Sequence, residues 1–381
     1  MKKLSFSPLV FLMALGAGGI AVIPFALMNY SVDHPKGLIA LKHILPLLDS
    51  SMGWFYYILM AIMIVFGVTH IVLMIQFFIQ YIRWIKTPQA QEYKNDPLRN
   101  AGLTAPILAT AMTFNLFIGV IRFFIPVLSE NLQSLMLPAL IAWGILWIIT
   151  MKYTLVLVKK AFSTSFDMEK ITFSRLLIPF TIGMVTVVGT GIAALAKDTM
   201  IAHTAAFFSL TSLMYGIFLF ITKIITLFQK HFSDKNGLPN KHAMPGVLSV
   251  IPAMTLFGIS TFRLLHYYGN QTGQHVESLT FFVIMGAFAF QTRYMLFGFT
   301  ILKDYLTAEF WKKEFYLTMW GLICPLVAYA VMGSFAYNIF FKNPILYAIV
   351  ILSTVLAIVM FIIISKKMTG CINNKSSIVC E

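Results

Sequence analysis

Ten runs of more than twenty predominantly apolar residues follow one another along this chain, at 8–29, 53–82, 104–127, 133–158, 174–196, 201–229, 244–267, 277–302, 315–337 and 343–365. A helix rising about 1.5 Å per residue needs about 20 such residues to cross the hydrocarbon core of a bilayer. Charged residues make up only 11% of the 381, against about 25% in a soluble domain. The expected fold is therefore all-α and integral to the membrane: one transmembrane domain over 1–381, ending in a short tail at 366–381. No connecting segment is long or polar enough to form a soluble domain.

The net charge of +14 raises the question of nucleic acid, and the positions of the charges answer it. With the N-terminus placed in the cytoplasm, nineteen of the 28 Lys and Arg fall in inner loops and tails, among them Lys2, Lys3, Arg83, Lys86, Lys159, Lys160, Lys312, Lys313, Lys366 and Lys367. The outer loops hold four: Lys36, Lys42, Lys197 and Lys342. This is the positive-inside pattern, so both termini are expected in the cytoplasm and the basic balance reflects the lipid bilayer rather than nucleic acid. The opening "MKKLSFSPLVFLMALGAGGIA" has the look of a signal peptide. Removing it would leave nine spans and upset the alternation, so it is read as the first span. Short loops suit a bacterial inner membrane.

Prolines reveal an internal repeat. Pro106, Pro179, Pro252 and Pro325 stand 73 residues apart each time, every one in an odd-numbered span. Each is followed by a glycine: Gly119, Gly189, Gly258 and Gly333. In the even spans Gly144, Gly216 and Gly286 precede Lys152, Lys223 and Arg293 by seven or eight residues. The unit is a helical hairpin, and five parallel hairpins can form a ring, unlike the inverted repeats of many transporters. Proline within a span interrupts backbone hydrogen bonding, which is tolerated where the backbone is buried or lines a cavity. The spacing thus predicts a central pore lined by the odd spans, with the four prolines as kinks gathered at mid-depth.

All fourteen carboxylates lie in loops, at span ends or in the tail. Proton-coupled pumps usually need intramembrane Asp or Glu, so that mechanism and a cation pathway are disfavoured. The ionisable residues within spans are Arg122, Lys152, Lys223, Arg263 and Arg293, with His70, His203 and His266. Arg122 and Arg263, near the outer ends of odd spans, are expected to concentrate anions in a vestibule, and the deeper Arg293 is a third candidate. Lys152 and Lys223 are placed to snorkel to the headgroups. A haem site would need a facing histidine pair at matched depth, which only His203 and His266 could supply. No cofactor or metal site is expected.

Two stretches carry a resemblance to a known family. "GLPNKHAMPGVLSVIPAM" at 237–254 and "FYLTMWGLICPLVAYA" at 315–330 resemble the approaches to the seventh and ninth helices of the tellurite-resistance/dicarboxylate transporter (TDT) family, TehA-like, which includes the plant slow anion channels. The resemblance implies a homotrimer in which each protomer has its own pore, passing small inorganic or organic anions, and not an enzyme. In that family a phenylalanine just before the ninth-helix proline blocks the pore.

Here that position is Cys324. A thiol cannot fill a pore as a phenyl ring does, so Tyr329 or Phe180 become alternative gates, or the pathway is open, or another layer occludes it. A thiol in apolar surroundings usually packs as a small hydrophobe. The competing reading is a membrane redox or sulfur/selenium-oxyanion-handling protein acting through Cys324 or the tail cysteines Cys371 and Cys380. A third is a scaffold whose pore is filled.

Overall fold

The computed structural model describes residues 6–35, 37–163, 170–233, 237–373 and 378–379. Lys2, Lys3, Lys36 and Cys380 lie outside the described residues. Among the described residues ten helices are long and apolar enough to cross a membrane, one on each apolar run: α1 (Pro8–Ser31), α2 (Gly53–Trp84), α3 (Asn100–Phe124), α4 (Leu132–Ser163), α5 (Phe173–Leu195), α6 (Thr199–Ser233), α7 (Met244–Thr272), α8 (Glu277–Thr307), α9 (Leu317–Phe340) and α10 (Pro344–Cys371). Several run past their apolar stretch at one end, because a helix continues into the interface where its polar residues meet water. Two short strands, Phe315–Tyr316 and Ile378–Val379, pair in parallel beside α9.

The odd helices form an inner layer. The apolar stretches of α1, α5, α7 and α9 are 72–94% buried within the protein and that of α3 is 50% buried, whereas no even helix exceeds 44%. Around the ring α1 packs on α3, α3 on α5, α5 on α7, α7 on α9, and α9 closes back on α1. Each even helix lies outside, against the odd helix before it and the one after, with α10 bridging α9 and α1. The exposed faces of the even helices, such as Ile141, Ile145, Ile148 and Phe282, are apolar, as lipid requires.

The 73-residue repeat reappears as contact between neighbours at one level. Thr104 Oγ1 donates to the Leu177 carbonyl at 3.4 Å, and Thr255 Oγ1 to the Ala328 carbonyl at 3.1 Å, each across a sequence separation of 73. Outside the spans, Lys241 Nζ and Glu314 Oε2 pair at 2.7 Å across the same separation. Such pairs require neighbouring odd helices to run in parallel with matched ends.

The prolines do something other than kink the spans at mid-depth. Each repeat begins as a 3₁₀ segment, at Asn100–Thr104, Phe173–Leu176, Met244–Ser249 and Leu317–Leu322, and turns α-helical just before its proline. Pro106 is the second residue of its α-helical part, and Pro179, Pro252 and Pro325 are the third. The residue that opens the α-helical part still donates to a 3₁₀ carbonyl, Ala105 N–H to Gly102, Leu177 to Ser174 and Ile323 to Trp320. Each proline, which has no N–H and a pre-set φ, falls where this ladder gives way to α bonding. The expected mid-depth kinks are thus corrected to helix starts at the end of the ring nearer the chain's N-terminus.

The irregular backbone inside the odd spans lies elsewhere. α3 contains a π-helical turn at Phe117–Ile121 and α9 one at Ala336–Phe340. Each begins eleven residues after its repeat's proline. At the far end of α7 the chain turns at Gly273, whose φ of +70° is the left-handed conformation glycine adopts freely, and its N–H caps the Gly269 carbonyl at 2.8 Å.

Candidate functional site: the interior of the helix ring

Contacts with neighbours fix how each inner helix is rotated, at about 100° per residue. On α9, Ile323 and Val327 meet Gly16 and Gly19 of α1; a Cβ on Gly19 would stand 2.9 Å from Val327 Cγ1, so only glycine permits that approach. Met332 meets Gly258 of α7, and Gly333 meets Val350 of α10 and Phe288 of α8. The face left between α1 and α7 carries Cys324, Ala328, Val331 and Phe335. Cys324 is therefore turned toward the axis.

Tyr329 is turned the other way. Its ring stacks on Phe288 at 5.0 Å and 16°, and its hydroxyl bonds Thr292 Oγ1 at 2.8 Å, both on α8. Phe180 faces inward, because Gly183 meets Leu256 and Phe257 of α7 while Thr181 Oγ1 faces the Thr104 carbonyl of α3. On α7 the same reasoning turns Leu256, Ile259 and Arg263 to the axis, between the Thr255 side toward α9 and the Phe257 side toward α5 and α6. Phe180, Met184, Leu256, Cys324 and Ala328 are all 8% exposed or less. Side chains therefore close the axis at the level of these residues in this conformation.

The charges divide sharply. No Asp or Glu lies within any odd span, whereas Arg122, Arg175 and Arg263 do. Arg263 Nη1 donates to the Val187 carbonyl at 2.7 Å and lies over Gly191, with Tyr30 of α1 within electrostatic reach. Arg122 is 1% exposed; its Nε donates to the Ile118 carbonyl at 2.9 Å and its Nη2 to the Ile39 carbonyl in the α1–α2 connection. That guanidinium is committed to backbone, stitching a loop to the end of α3. Arg293 is exposed on the outer helix α8, away from both, and Lys152 is exposed on α4. Lys223 is partly buried on α6.

The histidines have other duties. His70 is fully buried, with Nδ1 2.7 Å from the Ala14 carbonyl and Nε2 2.8 Å from Thr113 Oγ1. The carbonyl can only accept, so Nδ1 carries the proton and Nε2 accepts from Thr113. His203 Nδ1 bonds the Tyr267 hydroxyl at 2.7 Å, and His266 meets Phe262 edge-on at 4.4 Å. Cys324 and Cys371 are both free thiols, and Cys371 Sγ lies 3.1 Å from the Lys313 carbonyl.

Sequence reasoning did not single out the aromatic group at the far end of the ring. Phe335 of α9 contacts Tyr30 of α1 at 4.7 Å and Phe262 of α7 at 5.5 Å between centroids. Three ring helices contribute one aromatic each. Phe262 and Phe335 stand 73 residues apart, the period of the prolines, which was the sequence signal for this group, whereas Tyr30 belongs to the first span, outside that period.

Five parallel inner helices that carry arginines but no carboxylate, braced by five outer ones, are the architecture of a membrane protein suited to anions. The chain belongs to the SLAC1 family, described as voltage-dependent anion channel, whose match extends over residues 5–369. No protein of curated function matches it.

Proposed function

We propose that the protein is an anion channel or passive anion transporter of the TehA/slow-anion-channel type, with its pathway along the axis of the odd helices. The observation that carries this reading is Arg263: a cation on the inward face of a ring whose five helices contain no carboxylate. An anion reaching the axis meets positive charge and no fixed negative charge, and weak binding to a single guanidinium lets it leave again. Pro106, Pro179, Pro252 and Pro325 serve the pathway by starting its helices, not by kinking them. Cys324 and Phe180, both inward and near the helix starts, form its inner constriction, while Tyr329 packs α9 onto α8. Of the three arginines proposed to attract anions, Arg263 keeps that role; Arg122 anchors a loop, and Arg293 lies outside the ring.

The trimeric assembly implied by the resemblance, the cytoplasmic placement of both termini and a bacterial inner membrane complete the proposal. The redox alternative through Cys324 or the tail cysteines finds no disulfide partner among the described residues, where both cysteines are free.

The test is anion efflux from liposomes, comparing wild type with Cys324→Phe for chloride, nitrate, sulfite and a dicarboxylate. Flux in wild type that the phenylalanine abolishes supports an axial pathway past residue 324. Flux of the same size in both proteins would remove the axis from the mechanism.

A further inference from the structure

The far mouth of the ring, away from the chain's N-terminus, ends in an aromatic cluster. Phe335 touches Tyr30 and Phe262, which belong to the two helices flanking α9 on opposite sides. The outward face of α9 is taken by Tyr329 and Gly333 against α8 and α10. A ring that reaches both flanking helices therefore lies on the inner edge of α9, facing the axis.

We propose that Phe335 is an outer gate of the pathway, latched between Tyr30 and Phe262 and released by the π turn that follows it; this rests on the anion-pathway reading above. Three observations converge on it. Phe335 is 3% exposed, yet Val331, one turn deeper on the same face, is partly exposed, so there is space beneath the ring. The π turn Ala336–Phe340 starts at the next residue, and the Phe341 N–H reaches five residues back to the Ala336 carbonyl at 2.9 Å. A π turn holds one residue more than an α turn, so shifting its register rotates the adjoining residues without breaking the span. Arg263 and His266 stand at the same mouth, His266 edge-on to Phe262. An anion drawn to these side chains arrives where Phe335 closes the axis. A phenyl ring there excludes water, and an apolar constriction without water is closed to ions.

This closure lies at the far end of α9, eleven residues beyond Cys324.

The experiment uses a cysteine sensor beneath the gate. In the full chain with Cys324, Cys371 and Cys380 changed to serine, Val331→Cys is reconstituted in liposomes and labelled with a membrane-impermeant methanethiosulfonate, with chloride efflux measured in parallel. Phe335→Ala, and separately Phe262→Ala, are expected to accelerate labelling of the sensor by about tenfold or more and to raise efflux, whereas Phe335→Trp leaves both slow. Labelling unchanged in both alanine variants overturns the gate, and if chloride still flows, the anion reading survives it. Faster labelling with no flux of any anion keeps the gate and overturns the anion reading.

Discussion

Arg263 of α7 donates to the Val187 carbonyl of α5 at 2.7 Å, so a full positive charge is fixed on the inner face of the ring by a neutral acceptor. The acceptor positions the guanidinium without neutralising it. Replacing Arg263 with alanine should lower chloride flux by roughly tenfold in dilute salt. The deficit should shrink as ionic strength rises toward about 1 M, where the Debye length is about 3 Å. Arg263→Lys should retain part of the flux, because the charge stays while the planar donor is lost. Equal flux in wild type and Arg263→Ala at every ionic strength would remove the residue from the pathway.

The proline positions make a separate prediction. Pro252→Ala and Pro325→Ala restore an N–H at the junction of 3₁₀ and α bonding, where the proline already fits without breaking the span. Each should alter stability by less than about 1 kcal/mol, mainly through the unfolded chain, and leave flux close to wild type. Thermal unfolding in detergent and liposome efflux check this together. A large loss of flux on either substitution would return the prolines to the conduction mechanism.

His70 joins three helices through one fixed tautomer, donating to Ala14 of α1 and accepting from Thr113 of α3. His70→Ala leaves the Ala14 carbonyl and the Thr113 hydroxyl without that partner inside the helix packing. The expected loss is about 1–3 kcal/mol, read as a lower unfolding temperature. Gly18→Ala should do comparable harm by another route, since its Cβ would stand 2.6 Å from Met112 and 2.7 Å from the His70 ring. Neither change touches the inward face, so flux per folded protein should survive both.

Lys241 and Glu314 make the pH-dependent prediction. Glu314 accepts from Lys241 Nζ and from the Tyr316 hydroxyl, and these bonds hold its carboxyl below its ordinary range. A carboxyl with a depressed folded-state pKa contributes stability that is present above its unfolded value and is lost as pH falls through the folded one. The same pairing raises the Lys241 ammonium, so its share is complete below the unfolded lysine value and disappears only in strong alkali. The link between these repeats should therefore be unchanged across neutral pH, weaken in acid as Glu314 protonates and be lost again only in strong alkali. Melting of wild type and Glu314→Gln, compared from neutral pH downward, should show a small difference that vanishes below the ordinary carboxylate range. Both groups are well exposed, so the difference will also fade in high salt. A difference that persists in acid would assign it to something other than this pair.

Apolar length and the spacing of prolines carried the ten helices, the hairpin repeat and the inner place of the odd spans. The rotation of each inner helix was not legible. α5 and α9 are apolar almost all round, so hydrophobic periodicity has no contrast by which to separate a face toward a neighbour from a face toward the axis. Tyr329 illustrates this: an aromatic four residues after Pro325 reads as a pore residue until Phe288 and Thr292 of α8 are seen to hold it. Arg122 illustrates a second limit. Its charge is visible in the sequence, but the Ile39 carbonyl that occupies it lies 83 residues away in a loop with no pattern of its own. The π turns escaped for a third reason, since a single extra residue in a helical turn has no compositional mark.

The five inner helices all point the same way. Each carries a dipole equivalent to about half a positive charge at its start and half a negative charge at its end. The outer helices run in opposition but stand farther from the axis, so they offset this only in part. The helix dipoles therefore give the axis a built-in polarity that favours an anion at the mouth where the prolines lie, opposite to the mouth where Arg263 supplies its full positive charge. With attraction of two different kinds at its two mouths, the ring should rectify: in identical salt on both sides of the membrane, opposite voltages of equal size should drive unequal currents.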